Sequence, residues 1–225
     1  MRGMRATAAQ VPVTLIRRLY DAWNVGDVAA AAGVLSPDVR WDTFGGGRAT
    51  GANAIQATLA GGSGGTWHMT AVAIDLLVGV VDHVIAFSRR SGAEPERIEI
   101  WTFRGGKAVH YRGYPLNEGL AVLSETTRSR KLEVACRTLL AFNRGDRGGD
   151  VRVFAEQFHG QRLDDVQVLG ETFESLVVSA VHHHDETTSA PVNLVITFAS
   201  DKARRVVAHA TAEAAVAAAA RWTPV

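Results

Sequence analysis

Apolar residues Val13, Ile16, Tyr20 and Trp23 recur at spacings of three and four, with Pro12 in the first turn, and this spacing predicts an amphipathic helix. Gly26 can stop that helix, and Asp27 can cap a second one over residues 29–35. Ser36 and Pro37 should end the second helix, because proline biases the residue before it away from helical geometry. A short strand at 39–44, a run of three glycines and a third helix at about 52–59 complete the helical part. Everything beyond the glycine-rich link at 61–65 reads as extended. Segments 68–80 and 83–90 are β-rich, 97–103 alternates, and Gly105 with Gly106 turns the chain into a last strand over 108–114. Helices first and an antiparallel meander afterwards place the chain in the α+β class.

Shifting the sequence by 119 residues brings Ala22, Trp23, Asn24, Gly26 and Asp27 onto Ala141, Phe142, Asn143, Gly145 and Asp146. The apolar stripe repeats with them, since Val13, Ile16, Tyr20 and Trp23 fall on Leu132, Ala135, Leu139 and Phe142. After a gap, Thr102, Phe103, Lys107 and Ala108 find counterparts in Thr197, Phe198, Lys202 and Ala203, so the second copy is the shorter one. The expected organisation is an arm at 1–11, a first domain at 12–124, a linker at 125–130 and a second domain at 131–225. An alanine-rich helix from Ala212 to Arg221 closes the second domain by packing.

Composition narrows the function more than the fold. With 225 residues, 47% of them hydrophobic, two domains can each bury a core. Basic and acidic residues number 12 and 10 up to Ser124, and 12 and 13 beyond it. Neither half has the basic excess of a nucleic-acid surface. Cys136 is the one cysteine, which excludes an internal disulfide and a cysteine-based zinc cluster and points to a cytoplasmic location. No stretch has the length and apolarity of a membrane helix or a signal peptide.

The run Tyr20, Ala22, Trp23, Asn24, Gly26, Asp27, then Pro37, Asp38, Trp41 and Gly45 to Gly47, resembles the opening of SnoaL-like domains of the nuclear transport factor 2-like superfamily. Glu99, Trp101, Thr102, Phe103, Gly106, Lys107, Tyr114 and Pro115 resemble their closing hairpin. The resemblance covers residues 12–124, with a divergent copy after it. It implies two cone-shaped domains, each with N-terminal helices packed on a curved antiparallel sheet around an apolar pocket. Members of the superfamily pair through sheet faces, so it also implies an internal pseudo-dimer within a monomer, or a homodimer.

Alternation puts Glu99, Trp101 and Phe103 on one strand face; on the pocket side, Glu99 is a carboxylate among aromatics, which burial would tune for general acid/base work. Registering the chain on ketosteroid isomerases of the same fold places Leu19 at their helix tyrosine and Thr43 at their strand base, leaving Glu99 as the one matching acid. The acid usual to SnoaL-type cyclases, near the end of the last strand, meets Leu116 and Asn117 instead. Asp42 and His68 are the other candidate proton carriers. Trp41, Thr43, Trp101, Phe103, Tyr111 and Leu19 are the expected substrate-binding residues. His110 and Tyr111 face opposite ways, so at most one lines the pocket. His182, His183, His184 and Asp185 read as the approach to a hairpin turn rather than a metal site, Asp164 and Asp165 as a solvated loop, and Cys136 as an inert thiol.

The resulting expectation is a cofactor-independent and metal-free enzyme acting on a hydrophobic cyclic or polyketide-like small molecule by cyclisation, isomerisation or epoxide opening. Nucleic acid and membrane are excluded as partners. The alternative is a non-catalytic ligand-binding or dimerisation module of the same fold, favoured by the departures at Leu19, Thr43 and Leu116.

Overall fold

The computed structural model describes residues 10–42, 47–53, 72–90, 96–159, 161–184 and 188–221. The expected third helix beyond residue 53, the glycine link at 61–65, Thr43 and His68 lie outside them. Contacts divide the chain into two compact units: one holds residues up to Ile74 and Val81–Gly119, the other Asp75–Val80 and Leu120–Val225.

The first unit begins with helix α1 (Gln10–Asn24) and helix α2 (Val28–Gly33). The stripe of α1 is buried as its spacing predicts, with Val13, Ile16, Leu19 and Tyr20 all shielded from solvent. Each such aliphatic side chain contributes about 1.5–3 kcal/mol. Asp27 accepts a hydrogen bond from the Ala30 amide at 2.9 Å and so caps α2 as expected. Strand β1 (Leu35–Asp42) starts two residues before Pro37, earlier than the proline suggests. The Val34 carbonyl accepts from the Ala108 amide at 3.1 Å and Leu35 pairs with Ala108, so sheet pairing captures the chain as soon as α2 ends. Pro37 is accommodated by the register shift between Leu35 and Arg40.

Strands β2 (Arg48–Thr50), β3 (Val72–Val80), β4 (His83–Arg90), β5 (Arg97–Arg104) and β6 (Lys107–Pro115) follow. The first unit's strand order is β4-β5-β6-β1-β2, antiparallel except for the β1–β6 pair. Helix α3 (Leu116–Thr127) starts at the end of β6; its Gly119 is forced, because a Cβ there would stand 2.7 Å from that of Ile98.

In the second unit, helix α4 (Arg130–Asn143) is capped by Ser129, whose hydroxyl accepts from the Leu132 amide at 3.0 Å. After a 3-10 turn (Gly149–Val151) come helix α5 (Arg152–Phe158), strands β7 (Arg162–Glu171), β8 (Ser175–His183), β9 (Ser189–Ala199) and β10 (Lys202–His209), and helix α6 (Ala212–Arg221). These four strands form an antiparallel meander, and β7 also runs parallel to the Asp75–Val80 portion of β3, with Val78 opposite Val166. Asp164 corrects the expectation of a solvated loop. It is 6% exposed within β7 and accepts from Arg162 Nη2 at 3.2 Å, while Asp165 takes a positive φ of 47° at the register shift between Asp164 and Gln167.

The two units repeat one another in detail. Asn24 donates to the Val72 carbonyl at 2.9 Å and accepts from the Val72 amide at 2.8 Å. Asn143 grips Leu163 in the same two-sided way, at 2.6 and 3.0 Å. Gly26 and Gly145 both take positive φ, 77° and 92°, and both donate to the residue three before them. The β5–β6 turn at Gly105 and Gly106 and the β9–β10 turn at Ser200 and Asp201 carry positive φ at both central positions, the geometry that matches strand twist in tight hairpins. Each hairpin also has the same irregularity, skipping Val109 in one and Arg204 in the other. Between helices and hairpins the offset falls from 119 to 95, since Phe198 lies 95 residues after Phe103.

Candidate active site

Strand β5 carries Glu99 and Trp101 on the face covered by α1, and the β5–β6 register sets Trp101 opposite Tyr111 and Glu99 opposite Gly113. Glu99 is 2% exposed. Its Oε2 accepts a hydrogen bond from the Tyr20 hydroxyl of α1, and its Oε1 accepts from the Tyr111 hydroxyl at 3.1 Å. Trp101 Nε1 donates to the Tyr20 oxygen at 3.2 Å. An indole N–H can only donate, so the Tyr20 proton is directed at Glu99, and a relay runs from Trp101 through Tyr20 to the carboxylate. Burial, then the neighbouring Glu99 charge, pushes the Tyr20 phenol well above its ordinary value, so Tyr20 stays a proton donor across the neutral range.

The cluster is walled by rings. Trp41 stacks on Tyr111 at 4.0 Å between centroids and lies edge-on to Trp101 at 5.4 Å. Trp101 also meets Tyr111 at 4.7 Å and Tyr20 at 6.2 Å, while Trp23 lies nearly parallel to Trp41 at 6.2 Å. A carboxylate held by two phenols in such surroundings is dry and oriented, which suits it to pass a proton to or from a carbon or oxygen acid.

The structure gathers Glu99, Trp101, Tyr111 and Trp41 from the sequence-based candidates. Leu19 is buried, and the adjacent Tyr20 is the residue of α1 that reaches the carboxylate. Phe103 is buried beyond the register shift that follows Thr102, and among the described residues it makes no ring contact with the cluster. Asp42 sits apart from Glu99. It accepts from Arg48 Nε at 2.8 Å, lies 3.0 Å from Arg40 Nε and 2.8 Å from His110 Nε2. Burial works to raise its pKa but is outweighed by His110 and the two arginines, which hold the carboxyl below its ordinary value. His110 and Tyr111 do face opposite ways, one to Asp42 and the other to Glu99.

Among the described residues no group of three or more His, Cys, Asp and Glu side chains is arranged to hold a metal. The His182 and His184 rings lie 4.2 Å apart, tilted by 56°, and burial followed by the two neighbouring histidines lowers the His182 pKa. Cys136 is fully buried, and burial pushes its thiol far up. Among the described residues no helix is long and apolar enough to cross a membrane.

Residues 16–112 match the family model of the SnoaL-like domain. No curated protein matches the chain. Solved structures similar to it include a nuclear transport factor 2-like protein of unknown function from Burkholderia xenovorans LB400, at 23% identity over 50% of this chain and 85% of that one, with a TM-score of 0.41. A second, from Burkholderia thailandensis E264, shares 23% identity over 46% of this chain and 88% of its own, at 0.42. TerC, crystallised with polyporic acid, shares 23% over 51% and 98%, at 0.40.

Proposed function

We propose that the chain is a tandem of SnoaL-like copies, residues 12–124 and 131–225, whose first copy is an acid/base enzyme acting on a hydrophobic cyclic or polyketide-like molecule. Glu99 is the group that takes a proton from the substrate and returns it, and the hydroxyls of Tyr20 and Tyr111 hold it aimed. Proton transfer of this kind needs nothing beyond these side chains.

One observation carries the reading. The paired registers put Leu194 of the second copy where the first has Glu99, Ile196 where it has Trp101, and Val206 where it has Tyr111. The helix offset puts Leu139 in the place of Tyr20. All four are buried, so the same architecture is built once with an apolar centre and once with a carboxylate and two phenols. A buried charged group generally adds little stability over apolar side chains of its size. The polar centre of the first copy is therefore best accounted for by chemistry.

The non-catalytic reading draws on a different observation, the near-complete burial of Glu99 and Trp101 at 2% and 1% exposure. Deuterium incorporation next to the carbonyl of a panel of cyclic ketones, enones and hydroxyquinones, followed by NMR in D2O, separates the two. The enzyme reading expects catalysed exchange on at least one member, with Glu99→Gln reducing the rate about 10²–10⁴-fold. Tryptophan fluorescence changes on ligand addition without any exchange would support the binding module, and full exchange in Glu99→Gln would remove Glu99 from its role.

A further inference from the structure

Gly113 is the residue directly opposite Glu99 in the β5–β6 ladder. Its backbone is ordinary strand, so conformation does not require a glycine; space does. A Cβ at residue 113 would stand 2.6 Å from the Tyr111 hydroxyl oxygen, 3.2 Å from its Cζ and 3.4 Å from its Cε1. The Tyr111 side chain lies along its own strand and passes over residue 113 to reach Glu99 Oε1 at 3.1 Å. Its ring is held from elsewhere by the stack on Trp41 at 4.0 Å and the edge contact with Trp101 at 4.7 Å, so it has little freedom to lift away from an added methyl group.

The second hairpin supplies the comparison. Its register is the same, and Ala208 stands opposite Leu194 where Gly113 stands opposite Glu99. The residue that would lie over Ala208 is Val206, which has no phenol to lay down the strand. Alanine occupies the position where no hydroxyl must pass, and glycine where one must. A glycine inside a strand otherwise weakens it through chain entropy and the loss of a packing side chain.

Resting on the reading of Glu99 as the proton-transferring group, we propose that Gly113 is a positioning residue: it opens the path by which the Tyr111 hydroxyl reaches and orients the Glu99 carboxylate. The test compares Gly113→Ala, Tyr111→Phe and the double variant. Gly113→Ala should reproduce the loss seen in Tyr111→Phe, about tenfold in kcat with KM little changed, the equivalent of ~1.4 kcal/mol at the transition state. The double variant should be no worse than Tyr111→Phe alone, because the hydroxyl that the methyl group displaces is already gone.

A second readout needs no turnover. In isotope-edited infrared spectra with carboxyl-labelled glutamate, the Glu99 carboxylate band, identified as the one absent from Glu99→Gln, should shift equally in Gly113→Ala and Tyr111→Phe. An unshifted band in folded Gly113→Ala, or additive losses in the double variant, would overturn the positioning role. If Glu99→Gln kept full activity while Gly113→Ala still shifted the band, the catalytic reading would fall and the positioning of Tyr111 would stand.

Discussion

Replacing Glu99 by Leu should change sign with its surroundings. In the native protein the substitution takes the carboxylate from two buried phenols, Tyr20 and Tyr111. A buried hydroxyl that loses its partner costs about 1–3 kcal/mol, so Glu99→Leu should destabilise the first unit by roughly 2–6 kcal/mol. The background Tyr20→Phe with Tyr111→Phe reverses the situation, because it strips the buried carboxylate of these two donors, at a cost of about 3–5 kcal/mol. Adding Glu99→Leu there removes the buried carboxyl group and should recover most of that loss. The remaining debt is the Trp101 indole N–H, deprived of Tyr20 and worth ~1–3 kcal/mol. Urea unfolding followed by tryptophan fluorescence reads mainly the first unit, whose residue range holds four of the five tryptophans. Equal effects of Glu99→Leu in both backgrounds would refute the view of Tyr20, Glu99 and Tyr111 as one coupled network.

Two further outcomes are expected. Because burial and the Glu99 charge raise the folded-state pKa of Tyr20, its neutral form is the one the native protein favours. Its contribution is intact below the unfolded value of about 10 and is lost as pH climbs toward the folded one, so the wild type should lose urea resistance above pH ~10 faster than Tyr20→Phe; parallel curves would contradict this. Asn24→Ala and Asn143→Ala each remove a two-sided grip on a strand backbone and should each cost about 1–3 kcal/mol by chemical denaturation, and a negligible cost at either would show that grip to be dispensable.

Much of this fold could be read from local signals. The stripe of α1 follows helical spacing, the Asn, Gly, Asp sequence after α1 and α4 imposes its own turn, and Gly105 with Gly106 suits a turn that needs two positive φ values. Glu99, Trp101 and Tyr111 were legible because strand alternation and a hairpin register place them together without knowledge of the rest. Tyr20 was not, since its partner lies 79 residues away and its position in the apolar stripe of α1 reads as core. The available signal was its hydroxyl, which a buried tyrosine must satisfy. The early start of β1 was illegible for a similar reason: the pairing of Leu35 with Ala108 is a long-range event that outweighs the local bias of Pro37.

Strand β3 is divided between the two units. Its first residues are claimed by the first unit, where Asn24 grips Val72, and Asp75–Val80 by the second, where Val78 lies against Val166. Since Val81–Gly119 belongs again to the first unit, no single break in the polypeptide sorts the residues into their two units. A single proteolytic cut anywhere in the chain would therefore leave at least one unit with a segment missing.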